Sequence, residues 1–211
     1  MLKRIIDFSV ALLALLILSP IFFLVAYKVR KNLGSPIFFY QARPGKDCKH
    51  FRMMKFRSMK NAVDENGIAL PDDQRITPFG KKLRSTSLDE MPQLINVLMG
   101  DMSIVGPRPQ LSEFVEHYTA HQLRRHEVKP GMTGLAQVSG RNNLSWEEKF
   151  DLDVQYVEKQ SILFDFKIMF KTVEVMMKKE GIDSPDQAVG ATRFSGSESS
   201  NSNSNSNSSH H

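Results

Sequence analysis

Arg84-Ser-Thr-Ser-Leu-Asp-Glu-Met-Pro92 is the stretch whose residue types and spacing could do chemistry. Proline is accepted in a helix only in the first turn, where its missing N–H has no bond to lose. Pro92 therefore predicts a helix that starts between Ser87 and Asp89 and runs to Leu98. Asp89 and Glu90 then sit at its positive end. Acidic residues there have a plain structural use, since they cap free N–H groups and complement the helix dipole. They also have a chemical use. A carboxylate pair beside free backbone N–H groups can bind Mg²⁺ and receive a phosphate. An aspartate can attack phosphorus and form an acyl phosphate, and its neighbour can serve as a general base.

The cations that would balance a phosphate are Lys55 and Arg57 in Lys55-Phe-Arg57, with Arg84, Arg108 and Arg141. A guanidinium matches phosphate oxygens with two parallel N–H bonds. Arg108 lies between Pro107 and Pro109, so its backbone has little freedom left to lose on binding. Singly, each of these arginines reads as a solvated surface residue. As a set following an apolar segment, they describe a diphosphate site, and phosphoryl transfer asks mainly for positioning and charge neutralisation. Other phosphate and hydrolase chemistries lack their motifs: there is no GxxxxGK[ST], H-E-x-x-H or GxSxG. Cys48 is the only cysteine, so no intrachain disulfide or cysteine-paired zinc site can form, in keeping with a reducing compartment. His50 and His126 read as surface or internally satisfied residues.

These groups need a scaffold, and its first part is apolar. From Phe8 to Tyr27 no residue is charged, and a helix of that length covers about 30 Å, the thickness of a bilayer core. A signal peptide is disfavoured because no small-x-small cleavage site follows and Lys28, Arg30 and Lys31 come at once. A spanning helix would put basic flanks on both sides of the membrane, against the preference of Lys and Arg for the cytoplasm. A helix bent at Ser19-Pro20 would return both flanks to one side; proline frees a carbonyl and the serine hydroxyl can bond it. Prolines also occur in spanning helices, so composition leaves both geometries open. Residues 1–60 hold 12 Lys/Arg against 2 Asp/Glu, whereas the remainder holds 16 against 21. Basic charge gathered around an apolar segment suits an anionic membrane or phosphate ligands. Nucleic acid would take the same charge, but no helix-turn-helix, zinc-finger or RNA-binding signature is present, and none is expected to bind.

Beyond the apolar segment, Ile37 to Tyr40 reads as a strand, Ala42 to Lys46 as a turn with Gly45 at its positive-φ corner, and Phe51 to Phe56 as a second strand. Residues 61–79 read as a loop, and residues 130–143 as glycine-punctuated strand and loop. Ser145-Trp-Glu-Glu148 is a capping box that opens a helix carrying Trp146, Phe150, Val154 and Val157 on one face. A last helix gathers Ile162, Phe166, Met169, Phe170, Val173, Met176 and Met177 on one face and Lys167, Lys171, Glu174 and Lys178 on the other. That apolar face is expected either to meet the core or to lie in a membrane interface. The Ser/Asn-rich residues 195–211 cannot bury a core and read as a disordered linker with a partial purification tag.

The chain resembles the monotopic phosphoglycosyl transferases, also called bacterial sugar transferases. The resemblance runs from about Lys3 to Phe194. It covers Arg4-Ile-Ile-Asp-Phe8, Ser19-Pro20, Gln41-Ala-Arg-Pro-Gly45, Lys55-Phe-Arg-Ser-Met59, Leu88-Asp-Glu-Met-Pro-Gln-Leu94 and Gly100-Asp-Met-Ser-Ile-Val-Gly-Pro-Arg-Pro109. It continues through Lys129-Pro-Gly-Met-Thr-Gly-Leu-Ala-Gln-Val138 and Gly140-Arg-Asn142. Pro71-Asp-Asp-Gln-Arg75 and Gly190-Ala-Thr-Arg-Phe194 are similar to the minimal members that transfer phospho-N,N′-diacetylbacillosamine for protein glycosylation.

The resemblance implies an α+β, mainly helical fold. Residues 1–31 would form a re-entrant membrane helix kinked at Ser19 and Pro20, and residues 32–194 a small cytosolic domain with short strands and amphipathic interfacial helices. It implies Asp89 as nucleophile and Mg²⁺ ligand, Glu90 as its essential partner, and Lys55, Arg84, Arg108, Arg141 and Asp165 as substrate-contacting residues. A basic residue is usual at position 57, and Arg57 fits. The implied reaction moves a sugar-1-phosphate from a UDP-sugar to undecaprenyl phosphate and releases UMP, at the cytoplasmic face of a bacterial inner membrane; a homodimer is compatible with it. A one-step transfer in which Asp89 serves only the metal, the same chemistry feeding O-antigen or capsule synthesis, and a membrane-anchored adaptor without turnover are the competing readings.

Overall fold

The computed structural model describes residues 1–68, 70–140 and 144–178. Arg141 and the Ser/Asn-rich tail lie outside them. In chain order the elements are α1 (Leu2–Leu33), β1 (Phe38–Pro44), β2 (His50–Phe56), α2 (Asp72–Arg75), α3 (Pro78–Ser85), α4 (Gln93–Met99) and β3 (Ser103–Val105). These are followed by α5 (Ala120–Leu123), β4 (Gly131–Thr133), α6 (Leu135–Ser139), α7 (Trp146–Lys159) and α8 (Ile162–Met177). The chain is mainly helical, with β1 and β2 antiparallel and β3 and β4 parallel, as the α+β expectation has it.

Helix α1 is long and apolar enough to cross a membrane, yet one side of it is docked on the rest of the chain from end to end. Near its start, buried Asp7 accepts from Ser103 Oγ at 2.9 Å and from the Ile104 N–H at 3.0 Å, and Lys3 pairs with Asp165 at 2.7 Å. In its middle, Ala11 packs with Met53, Leu94, Val97 and Met102. Towards its end, Val25 and Val29 join Phe56, Leu83 and Met91, with the Phe22 ring 4.8 Å from that of Phe56. Arg57 closes the C-terminus by donating to the carbonyls of Leu33 and Ser35. The opposite side, including Leu13, Ile17 and Phe23, is exposed hydrocarbon. Helical structure continues through Pro20. Ser19 Oγ donates to Leu16 O at 2.8 Å, the carbonyl that proline cannot serve.

Four local expectations differ from what is observed. Strand β1 runs through Pro44, and Gly45 keeps a negative φ of −102°; the left-handed residues of the turn are Asp47 and Cys48. Asp89 and Glu90 lie in a 3₁₀ turn (Leu88–Glu90), and the α-helix begins only at Gln93. Residues 135–139 are helical rather than loop, because the N–H of Val138 can close back on Gly134 O at 3.2 Å. The region 61–79 includes α2 and the start of α3, which Thr77 caps by accepting from the Gly80 N–H.

Helix α7 is opened by the Ser145–Glu148 capping box and buries Phe150 and Val154, as expected. Helix α8 turns a different face inward. Asp165 and Ile168 are buried, Phe164 and Met169 pack beside Tyr156 and Val105, and Thr172 is within 2.7 Å of Thr133. Phe166, Phe170, Val173, Met176 and Met177 are exposed, Met177 at 80%. The helix is apolar on two sides, so periodicity alone cannot choose between them; the polar anchors of Asp165 and Thr172 do.

One polar side chain joins the β-hairpin to α4. Asn96 is 0% exposed; its Oδ1 accepts from the Met54 N–H and its Nδ2 donates to Arg52 O, both at 2.9 Å. It stands in for a third strand on the open edge of β2, where unpaired backbone groups would be costly. Replacing Asn96 with Leu should lower unfolding stability by about 2 kcal/mol or more, because a buried donor and acceptor lose their partners. Chemical denaturation checks this, and an unchanged midpoint would contradict it.

Candidate functional site

The carboxylate pair sits on the 3₁₀ turn that precedes α4. Ser87, left-handed at φ 55°, turns the chain out of α3 and into this position. Three separate elements bring cations to it. Lys55, on β2, bonds Glu90 Oε1 at 2.8 Å. Arg108, on the turn after β3, donates to Glu90 Oε1 at 2.6 Å and to Oε2 at 3.3 Å. Arg84, on α3, donates to Ser58 Oγ at 2.9 Å and acts electrostatically on Asp89, as do Lys55 and Arg108. Arg84 can be there because α3 lies directly on Ser58: a Cβ at Gly80 would come within 1.9 Å of Ser58 O.

The two carboxylates differ in state. Glu90 is held well below the usual carboxylate range, since Arg108 and Lys55 outweigh the effect of its burial. Asp89 is 7% exposed and accepts no hydrogen bond among the described residues. Burial first, and then the charge of Glu90, push it up to about 6 against the pull of Lys55, Arg84 and Arg108. Among the described residues the site thus holds one carboxylate locked in ion pairs and one whose oxygens accept no hydrogen bond. Three described cations face the two acids, a net positive charge that suits a ligand with several negative charges.

The expected residues therefore fall into groups. Asp89, Glu90, Lys55, Arg84 and Arg108 are brought together. Arg141 lies outside the described residues. Arg57 is engaged at the end of α1. Asp165 accepts from Lys3 Nζ and, through Oδ1, from Tyr156 Oη, both at 2.7 Å; its described partners tie α8 to α1 and α7 and include neither Asp89 nor Glu90.

Residues outside the expected set also shape the site. Arg43, on β1, has Gln41 as its side-chain partner and feels Arg108 and Glu90 electrostatically. Arg125, 2% exposed, bonds the carbonyl of Arg108. Of the two expectations for His126, surface or internally satisfied, the structure shows a buried ring whose Nδ1 is 3.0 Å from Gly45 O, which fixes Nδ1 as the protonated nitrogen and joins the β-hairpin to the chain behind Arg108. Its Nε2 is buried without a partner among the described residues. Arg43 lies within the Gln41–Gly45 motif, which could have marked it, whereas Arg125 and His126 stand in no motif.

No cluster of three or more metal-ligating side chains occurs among the described residues. Mg²⁺ does not need one, since it is commonly held by one or two carboxylates together with substrate phosphates and water. Asp89, with its oxygens uncommitted, fits that donor set; Glu90, with both oxygens engaged, fits it less well.

Residues 1–179 match the family model described as bacterial sugar transferase. The chain is 48% identical over 196 residues to the uncharacterized sugar transferase EpsL of Bacillus subtilis, covering 93% of this chain and 96% of that protein. It is 41% identical over 187 residues to the UDP-glucose:undecaprenyl-phosphate glucose-1-phosphate transferase of Escherichia coli, covering 82% of this chain and 39% of that one. It is 40% identical over 197 residues to the undecaprenyl-phosphate galactose phosphotransferase of Salmonella typhimurium, covering 85% and 41%. The chain thus spans nearly all of the first relative and about two-fifths of the other two.

His126 gives the site region a pH signature. Burial and the neighbouring Arg125 push its pKa down to about 4, below its ordinary value near 6.5. The unfolded chain therefore takes up this proton first on acidification, and the stability that neutral His126 contributes is intact above about pH 6.5 and is lost as pH falls towards 4. The melting temperature should fall less steeply over this range in His126→Asn, whose amide keeps a donor for Gly45 O and cannot titrate. Parallel profiles for the two proteins would contradict it.

Proposed function

The chain belongs to the bacterial sugar transferase family, and on that premise we propose that it transfers a sugar-1-phosphate from a UDP-sugar to undecaprenyl phosphate through a phosphosugar-aspartate intermediate. The observation that carries this reading is the pair of unlike carboxylates: Asp89 with no hydrogen-bond partner among the described residues, beside a Glu90 held by Lys55 and Arg108.

In the first step an Asp89 oxygen attacks the β-phosphorus, the bond from that phosphorus to the bridging oxygen breaks, and UMP leaves with the bridging oxygen. Arg84, Arg108 and Lys55 hold the diphosphate and take up the charge that develops on it. Mg²⁺, held by Asp89, would supply further charge neutralisation when bound. In the second step an oxygen of the polyprenyl phosphate attacks the same phosphorus and the Asp89 carboxylate is released. As Lys55 and Arg108 turn to the phosphates, Glu90 loses the cations that depress its basicity. It then becomes the group able to take a proton from the acceptor.

The acceptor is dissolved in a membrane, so the enzyme must work at its surface. Lys3 at one end of α1 and Leu33 at the other both contact the same domain, although a straight helix of 32 residues is about 48 Å long. A helix crossing the bilayer would carry those contacts to opposite sides. This favours a re-entrant α1, with both ends at the cytoplasmic face of the inner membrane. The exposed apolar face of α8, with Lys167 and Lys171 on its polar side, suits the headgroup boundary of the same leaflet.

The sugar is open to direct test. The relatives' names specify glucose and galactose, while the resemblance of Pro71–Arg75 to the minimal family members implies UDP-N,N′-diacetylbacillosamine. UMP release by purified protein, measured with these three donors and undecaprenyl phosphate, should be supported by one of them. It should cease on chelation of Mg²⁺ and fall by about 10³-fold or more in Asp89→Asn. Asp89→Asn that retains UMP release would overturn the assignment in favour of an adaptor or of different chemistry.

A further inference from the structure

Behind Arg108 lies a charged pair that the proposed reaction does not use. Arg125 and Asp153 are each 2% exposed. Arg125 Nε and Nη2 donate to Asp153 Oδ2 at 3.1 and 2.6 Å, and Nη1 donates to Tyr118 Oη at 2.8 Å. The rings of Tyr118 and Phe150 cover the guanidinium at 5.5 and 5.2 Å. Asp153 Oδ1 accepts nothing among the described residues, so the bonding of this carboxylate is directed at Arg125.

A buried ion pair is a poor device for stability. Desolvating both charges offsets their attraction, and apolar residues of similar volume often do as well or better. What an apolar pair could not supply is the remaining bond: Arg125 Nη2 donates to the main-chain carbonyl of Arg108 at 2.7 Å. Asp153 holds the guanidinium in the orientation that makes this bond. The turn around Arg108 is otherwise fixed by Pro107 and Pro109 and by the Gly131 N–H, which donates to Pro107 O at 2.9 Å. Gly131 comes this close because it lacks a side chain; a Cβ there would meet the Gly106 nitrogen at 2.1 Å. Pro109 restricts Arg108 to extended backbone but leaves a range of ψ within it, and the bond to its carbonyl sets the value inside that range. A guanidinium displaced by about 1 Å would lose its fork on Glu90 and on any phosphate that takes Glu90's place.

We propose that Arg125 and Asp153 are a positioning pair, which fixes the Arg108 carbonyl and thereby aims the Arg108 guanidinium at Glu90 and at the substrate diphosphate. The inference rests on the phosphosugar-transfer reading for the identity of the ligand. It extends that reading to two buried residues, one on the 3₁₀ turn Arg124–Glu127 and one on α7, that act through the Arg108 main chain.

The test is a double-mutant cycle. Arg125→Met and Asp153→Leu are introduced together, so that neither charge is left buried alone, and folding is checked by melting temperature and circular dichroism. The paired replacement should reduce kcat/KM for the nucleotide sugar by about tenfold to a hundredfold. In an Arg108→Ala background it should cause no further loss, because a pair acting through Arg108 has nothing left to position. Losses that multiply in that background, or a paired variant with undiminished kcat/KM, would overturn the proposal. If the paired variant does not fold, Arg125→Lys is taken through the same cycle. Lysine keeps the charge opposite Asp153 but lacks the fork that serves two acceptors at once, and the same outcomes decide. If the wild-type protein releases no UMP from any donor, the function reading fails by itself, and the cycle is then read on affinity for UDP.

Discussion

Glu90, held between Lys55 and Arg108, is the contact on which the site depends. The three residues come from a 3₁₀ turn, a strand and a proline-bounded turn, and their ion pairs fix where these elements meet. Holding Glu90 in the ionised form also sets the state of its neighbour. Asp89 is buried beside a negative charge and has no hydrogen bond among the described residues, and its carboxyl is pushed up to about 6. Two adjacent acids of nearly equal intrinsic strength are thereby given different states by their surroundings, which the proposed reaction uses as different tasks. The same logic separates paired carboxylates wherever one must donate electrons and the other must manage charge.

The second constraint is the docking of α1. Buried Asp7, the Arg57 cap on its last carbonyls and two apolar clusters bind one face of the helix to the domain. The other face remains hydrocarbon. Strand β2 carries Met53 and Phe56 into those clusters and Lys55 to Glu90, so the surface proposed to meet lipid and the surface proposed to meet nucleotide are built on one short strand. On the proposed reading this couples the height of the catalytic carboxylate to the depth of the helix. The acceptor phosphate then needs little movement to reach it.

Much of this was legible in the sequence because its signals are local. The Ser145–Glu148 capping box, the position of Asp89 and Glu90 at the N-terminal end of a helical segment, and the proline-bounded turn at Arg108 each depend on residues within a few positions of one another, although the α-helix itself begins only at Gln93. The grouping of Lys55, Arg84 and Arg108 around the acids could be anticipated from residue chemistry. Arg125 and Asp153 could not, because their pairing spans 28 residues and neither stands in a recognisable motif. The inward face of α8 was also hidden: Phe164 and Ile168 make one apolar stripe, Phe166 and Phe170 another, and only the distant partners Lys3 and Thr133 select the first. Gly45 looked like the left-handed corner of the hairpin because glycine adopts that conformation readily. A Cβ there would instead press on Lys49 O at 3.0 Å, so its small size is used for close approach while Asp47 and Cys48 make the turn.

The division of roles between Asp89 and Glu90 can be examined on the protein itself. Purified enzyme is mixed with Mg²⁺ and its UDP-sugar donor in the absence of polyprenyl phosphate, quenched in acid, and analysed by intact-mass and peptide mass spectrometry. A phosphosugar adduct on the peptide that contains Asp89, discharged when polyprenyl phosphate is added, is the expected result. Wild-type enzyme that turns over with acceptor present but never carries the adduct, or carries it on Glu90, would contradict the assignment and favour direct transfer or a different nucleophile.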